Sequence, residues 1–90
     1  MWKITKEFEL NEFGEIYHTK DVNITSKDFT ENVELIERFR LLDGDGYVYF
    51  EGVSNDSETD IAFAPLDDFG EPDSGCVEIQ YFRDGKWETL

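Results

Sequence analysis

Carboxylates are the groups in this chain with the number and spacing to do chemistry: residues 41–82 hold eleven aspartates and glutamates and no lysine or arginine. Such groups can share acid–base work, bind a hard cation, or pair with arginine and lysine on another molecule. Acid–base work needs two carboxyls whose pKa values are driven apart by burial or mutual repulsion. Asp67 and Asp68 are adjacent, yet Pro65-Leu66-Asp67-Asp68-Phe69-Gly70 reads as a proline-started turn with Leu66 and Phe69 inward and both acids in water. Asp43-Gly44-Asp45-Gly46 has the Asp-x-Asp-Gly look of a calcium loop. Setting Gly46 at the invariant glycine puts Leu41 at the first ligand position and Gly52 at the bidentate glutamate, so the loop fails as a cation site. The same four residues are what a tight hairpin turn requires.

Nucleophilic and phosphate chemistry are as poorly supplied. His18 is the sole histidine and Cys76 the sole cysteine. A Cys-His or Ser-His pair would rest on one chance approach, and a lone cysteine excludes an internal disulfide and any zinc-thiolate cluster. His18 reads as an ordinary strand residue and Cys76 as a small buried hydrophobe. Gly44-Asp45-Gly46 lacks the later glycine and the lysine of a phosphate-cradling loop. The expectation is a protein that is not an enzyme and uses no cofactor or metal.

Recognition by charge remains. The formal net charge is −14. It divides unevenly: residues 1–45 carry eleven acids against six bases, and residues 46–90 eleven against two. The depletion of bases is therefore regional, and the field it makes repels nucleic acid and attracts a basic partner. That partner is expected to be a nuclease, another nucleic-acid-binding protein or an effector complex. The candidate partner-binding residues are Asp43, Asp45, Asp56, Glu58, Asp60, Asp67, Asp68, Glu71 and Asp73. The plain alternative is a solvated face serving solubility. Turn chemistry accounts for Asp43 and Asp45 and partly for Asp67 and Asp68, which leaves positions 56–60 and 71–73 with the least structural explanation.

These residues must be positioned by a small scaffold. Ninety residues suit a single domain over 1–90, and fourteen aromatics supply its core. Trp2, Ile4, Phe8 and Leu10 share one face of an extended segment, and 15–24 returns as a second strand after Asn11-Glu12-Phe13-Gly14. A symmetric loop at Asp43-Gly44-Asp45-Gly46 pairs Leu41 with Val48 and Phe39 with Phe50, with Arg38 opposite Glu51. At Arg83-Asp84-Gly85 a three-residue loop sets Trp87 opposite Tyr81, which keeps Val77, Ile79, Tyr81 and Trp87 on one core-facing surface. The fold class expected is mainly β, about six short antiparallel strands in a curled sheet or small barrel, with at most one short helix near residues 26–33. Ser26 as a cap and the stripe Phe29, Val33, Ile36 and Phe39 give the alternative, α+β with a helix over 26–39.

Phe39-Arg40-Leu41-Leu42-Asp43-Gly44-Asp45-Gly46, Tyr49-Phe50-Glu51-Gly52, Phe63-Ala64-Pro65-Leu66-Asp67-Asp68-Phe69-Gly70, Gly75-Cys76 and Gly85-Lys86-Trp87 together resemble a group of small uncharacterised acidic proteins of bacteria and mobile elements, over residues 38–90. By analogy, small acidic phage and plasmid proteins include anti-CRISPR and other DNA-mimic inhibitors of host defence. The leading expectation is thus a non-enzymatic inhibitor of nucleic-acid-mimic type. The rivals are an immunity protein or antitoxin for a basic toxin and a virion structural or assembly protein. The longest apolar run, 61–66, is far short of a membrane span, and the amino terminus lacks the apolar stretch of a signal peptide, so a cytoplasmic location is expected, in the host cell if phage-encoded.

Overall fold

Six strands separate at the turn residues: β1 (Trp2–Leu10), β2 (Ile16–Thr25), β3 (Glu37–Leu42), β4 (Val48–Ser54), β5 (Glu78–Arg83) and β6 (Lys86–Thr89). The computed structural model describes residues 1–90. All neighbouring strands run antiparallel, in the order β2-β1-β4-β3-β5-β6. The mainly β expectation is met by one unclosed sheet rather than a barrel. β2 and β6 are its free edges.

A helical segment, 60–74, covers one face, and no helix forms over 26–33 or 26–39. Residues 26–36 instead make isolated turns closed by Phe29 N–H to Ser26 O and Val33 N–H to Thr30 O. The apolar stripe from Phe29 to Phe39 has no surface to pack on as a helix, because Phe39 is needed in the central strand β3, where it is fully buried. Helical structure forms later, where Ala62, Leu66 and Phe69 have the uncovered sheet face beneath them. Pro72 shapes this segment. Its ring crowds the carbonyl of Asp68 and offers no N–H, and the preceding turn Leu66–Gly70 widens so that Glu71 N–H reaches Leu66 O. Gly75, at φ +69°, ends it with Gly75 N–H on Glu71 O and Cys76 N–H on Gly70 O.

The core lies between cover and sheet: Trp2 and Ile4 of β1, Phe39 and Leu41 of β3, Phe50 of β4, Ile79 and Tyr81 of β5, and Ala62, Leu66 and Cys76 against them. Phe69 stands edge-on to Phe50 at 5.1 Å and tilted to Trp2 at 6.2 Å. Tyr81 donates its hydroxyl to the Ala62 carbonyl at 2.8 Å, which ties the cover to β5. Gly52 lies where β1 crosses β4. A Cβ there would overlap the Lys3 carbonyl and come 2.7 Å from the Phe39 ring.

Three expected registers shift, each by a bulge or a turn. β1 carries an irregularity between Ile4 and Lys6, after which Glu7 pairs with Phe50, so Phe8 leaves the face that Trp2 and Ile4 occupy. The β3–β4 hairpin forms, but its loop takes five residues, with Asp43 N–H bonded to Tyr47 O. Leu42 then pairs with Val48 and Leu41 with Phe50, leaving Tyr49 as the extra residue. Arg38 consequently lies across from Val53 and reaches Glu51 diagonally, at 3.1 Å. At the last hairpin Asp84 and Gly85 both adopt positive φ, +52° and +82°, as a two-residue turn of the right twist demands. Trp87 therefore pairs with Phe82, on the face away from the core, and not with Tyr81. Val77 is 64% exposed and precedes β5 rather than joining the core face.

Candidate protein-binding surface

The cover is acidic because of how it is built. Its inward positions are taken by Ala62, Leu66, Phe69 and Gly70, so the intervening Asp60, Asp67, Asp68, Glu71 and Asp73 are left on the solvent side, all exposed. Glu58 is exposed just before them. The protein's ion pairs are Met1 amino terminus–Asp28, Lys6–Asp21, Lys20–Glu7, Lys20–Glu9 and Arg38–Glu51, and His18 lies beside Glu9. None involves an acid beyond Glu51. The six carboxylates of 58–73 therefore face water without an ion pair inside the protein, and the cation at this end, Arg83 of β5, is bonded to the Ser57 carbonyl instead. Asp73 accepts a hydrogen bond from Ser74 Oγ at 2.7 Å and keeps its other oxygen free.

Asp56 belongs to the scaffold. Its Oδ1 accepts from Glu58 N–H at 2.9 Å and Thr59 N–H at 3.0 Å, and its Oδ2 accepts from the Thr59 hydroxyl. These bonds, the Thr59 hydroxyl first, hold the Asp56 carboxyl below its ordinary value. Thr59 Oγ1 in turn accepts from Ile61 N–H and starts the first helical turn. The Asp56 carboxylate sets the chain direction into the cover and has little left for a partner.

Asp43 is committed likewise. Its Oδ1 accepts from Asp45 N–H and Tyr47 N–H, both at 2.9 Å. Burial raises the Asp43 carboxyl, but bonds from Tyr47 N–H, the Tyr49 hydroxyl and Asp45 N–H outweigh it and bring the group below its ordinary value. Asp45 is exposed on the same turn. The turn begins beside the segment that follows the cover, where Val77 N–H bonds to Leu42 O at 2.9 Å. Of the nine candidates, then, Asp60, Asp67, Asp68, Glu71 and Asp73 gather on the cover with Glu58 just before it, Asp45 stands apart on the β3–β4 turn, and Asp43 and Asp56 hold turns.

Cys76 and His18 lie in different surroundings, one in the core and the other on the surface. Cys76 is completely buried, and desolvation pushes its thiol up to about 11, aided by Asp43 and Asp73. His18 sits on β2 with Glu9 at 3.6 Å, in a surface network where Tyr17 also donates to Glu9 at 3.2 Å and holds that carboxyl down. No three His, Cys, Asp or Glu side chains converge closely enough to hold a metal ion. No helix is long and apolar enough to cross a membrane.

Two features escape a reading along the chain. On the open sheet face Arg40 lies over the Trp87 ring at 4.5 Å, Arg38 over Phe82 at 4.8 Å and over Trp87 at 5.3 Å, and Arg40 Nε donates to Gln80 at 2.6 Å. Burial lowers the Arg40 guanidinium from its ordinary value. Half of the eight bases, Lys3, Lys6, Arg38 and Arg40, are on this face, opposite the cover, so the molecule is polarised across the sheet. The alternation of Arg38 and Arg40 with Phe39 and Leu41 was the available signal for it. The second feature is a cleft between the start of β1 and the cover, lined by Trp2, which draws on residues 1–28 and 61–69 and has no signal in any single segment. No protein-family model matches this chain, and comparison with curated proteins and with solved structures finds no similar one.

Proposed function

We propose that this protein is a non-enzymatic, acidic binding protein that captures a basic nucleic-acid-handling protein and inhibits it by occupying the groove where phosphates would lie. The observation that carries this reading is the set of six exposed carboxylates over 58–73 that form no ion pair within the protein, five on the cover and Glu58 just before it, while Arg38 and Arg40 are held on the opposite side of the sheet. Duplex DNA offers a charge every ~1.7 Å along its axis, and a protein groove built for it is lined with Arg and Lys. Carboxylates on a cover packed against the sheet can form charge-assisted bonds to those cations and gain from steered association.

The test is capture and displacement. The immobilised chain is exposed to nuclease-treated cell lysate at about 50 mM salt, and bound proteins are eluted with duplex DNA or with about 500 mM salt. The expected result is retention of nucleic-acid-binding proteins that DNA elutes, lost when Asp60, Asp67, Asp68 and Glu71 are changed to their amides. Retention that survives those substitutions, or that DNA does not compete, excludes mimicry.

A further inference from the structure

Trp2 carries the one buried side-chain polar atom in the protein without a hydrogen-bond partner, its indole Nε1. A donor left this way is costly in a domain this small, and such groups in native proteins call for an explanation. Trp2 also lines a cleft of about 680 Å³. One wall is the start of β1 with the turn after β2, tied together by Ser26 N–H to Trp2 O and Trp2 N–H to Ser26 Oγ, both at 3.0 Å. The other wall is the cover. Ile24, Ile61, Ala64 and Phe69 make the lining apolar, and Ile61 is 60% exposed although it belongs to a core-covering element.

Charge at the rim selects what can enter. Asp28, Asp67 and Asp68 line the cleft against a single base, Lys27. Asp28 already holds the amino terminus at 3.7 Å. Asp67 and Asp68 are exposed and unpaired, so the free rim charge is negative. A small apolar molecule would leave those carboxylates unused, and an anion would be repelled.

We infer that this cleft is the anchor point for a basic polypeptide segment, taking one of its apolar side chains between Trp2, Ile61 and Phe69 while an adjacent Arg or Lys pairs with Asp67 and Asp68. The Trp2 ring forms part of that seat, and its indole Nε1–H is the reporter of occupancy. This rests on the reading of the partner as a basic protein and adds to it an apolar hot spot inside the acidic field, the arrangement in which a few buried contacts dominate binding.

The probes are three acetylated peptides, arginine alternating with leucine, arginine alternating with serine, and glutamate alternating with leucine, titrated into the 15N-labelled chain. The two indole Nε1–H signals are distinguished with Trp87→Phe. The arginine–leucine peptide is expected to bind about tenfold more tightly than the arginine–serine peptide and to move the Trp2 signal. Ile61→Ser, at an exposed position that leaves the core intact, should bring the two peptides to equal affinity, and Asp67→Asn with Asp68→Asn should weaken both about tenfold. Equal binding of the two arginine peptides, or a Trp2 signal that stays in place, overturns the cleft while leaving the acidic-surface reading standing. Binding of the glutamate–leucine peptide as tightly as its arginine counterpart overturns the charge selection. Failure of all three peptides to bind overturns the anchor whatever the capture experiment returns.

Discussion

Burial of Cys76 and Tyr81 couples the fold to alkaline pH. Cys76 is 0% exposed and its thiol rises from 9.0 to about 11; Tyr81 is 1% exposed and its hydroxyl rises from 10.0 to about 12. In both, desolvation of the charged form is the main cause. The folded state binds these protons more tightly than the unfolded chain does. Their contribution is therefore complete below pH 9 and is lost as pH rises, over 9 to 11 for Cys76 and 10 to 12 for Tyr81. Each loss is on the order of 2–3 kcal/mol. Urea unfolding between pH 8 and 11.5 should show stability falling in that window (about pH 9 onward). Cys76→Ala should remove the earlier part of the fall, and Tyr81→Phe the later part, the latter also costing ~1–3 kcal/mol at neutral pH by orphaning the buried Ala62 carbonyl. Stability that stays level through pH 11 would show that neither group is sealed from water.

At the scale of elements, side-chain alternation carried the strands and failed wherever a strand contains an extra residue. Trp2 and Ile4 read correctly as core, and Phe8 did not, because the irregularity before Lys6 reverses which residues face inward. Tyr49 is the same event in β4. Neither bulge contains a glycine to mark it, so register beyond them is invisible along the chain. The cover was hidden for another reason: with Pro65 and Pro72 inside fifteen residues it reads as loop, and only the vacant sheet face makes it helical. Its turn Pro65-Leu66-Asp67-Asp68-Phe69-Gly70 was still legible in orientation, with Leu66 buried and both acids out. Acidity was equally legible, but the use of each carboxylate was not, and Asp56, one of the positions with the least explanation along the chain, proves to be held by three bonds. Gly52 tests the element packing. It is buried at the β1–β4 seam, where the Lys3 carbonyl is backbone and cannot swing aside. Gly52→Ala should therefore cost about 3 kcal/mol, read as a lowered urea midpoint with an unchanged slope. A change below ~0.5 kcal/mol would mean that the seam is loose enough to part.

The whole molecule is −14 with its principal extents only 39 × 25 × 24 Å, so its own charge acts across it. At 0.01 M salt the Debye length is ~30 Å and every carboxylate of the cover feels the others and the acidic β1–β2 hairpin; at 0.15 M it is ~8 Å and only close neighbours interact. Self-repulsion destabilises the compact state, because the unfolded chain spreads the same charges apart. Salt should therefore stabilise this protein, and relief on the order of 1 kcal/mol corresponds to a rise in Tm of about 4–8 °C for a domain of this size. Binding to a basic partner should respond in the opposite sense, since the same screening weakens attraction between the acidic cover and Arg or Lys. The two measurements on one set of samples, thermal melts by circular dichroism and affinity for the captured partner from about 20 to about 300 mM sodium chloride, should give a rising Tm and a falling affinity. Changing Asp60, Asp67, Asp68 and Glu71 to their amides should flatten both slopes, because those four form no ion pair within the protein. A Tm independent of salt would mean that the opposite-face bases already neutralise the cover at a distance, and it would remove the electrostatic strain on which recognition by the cover depends.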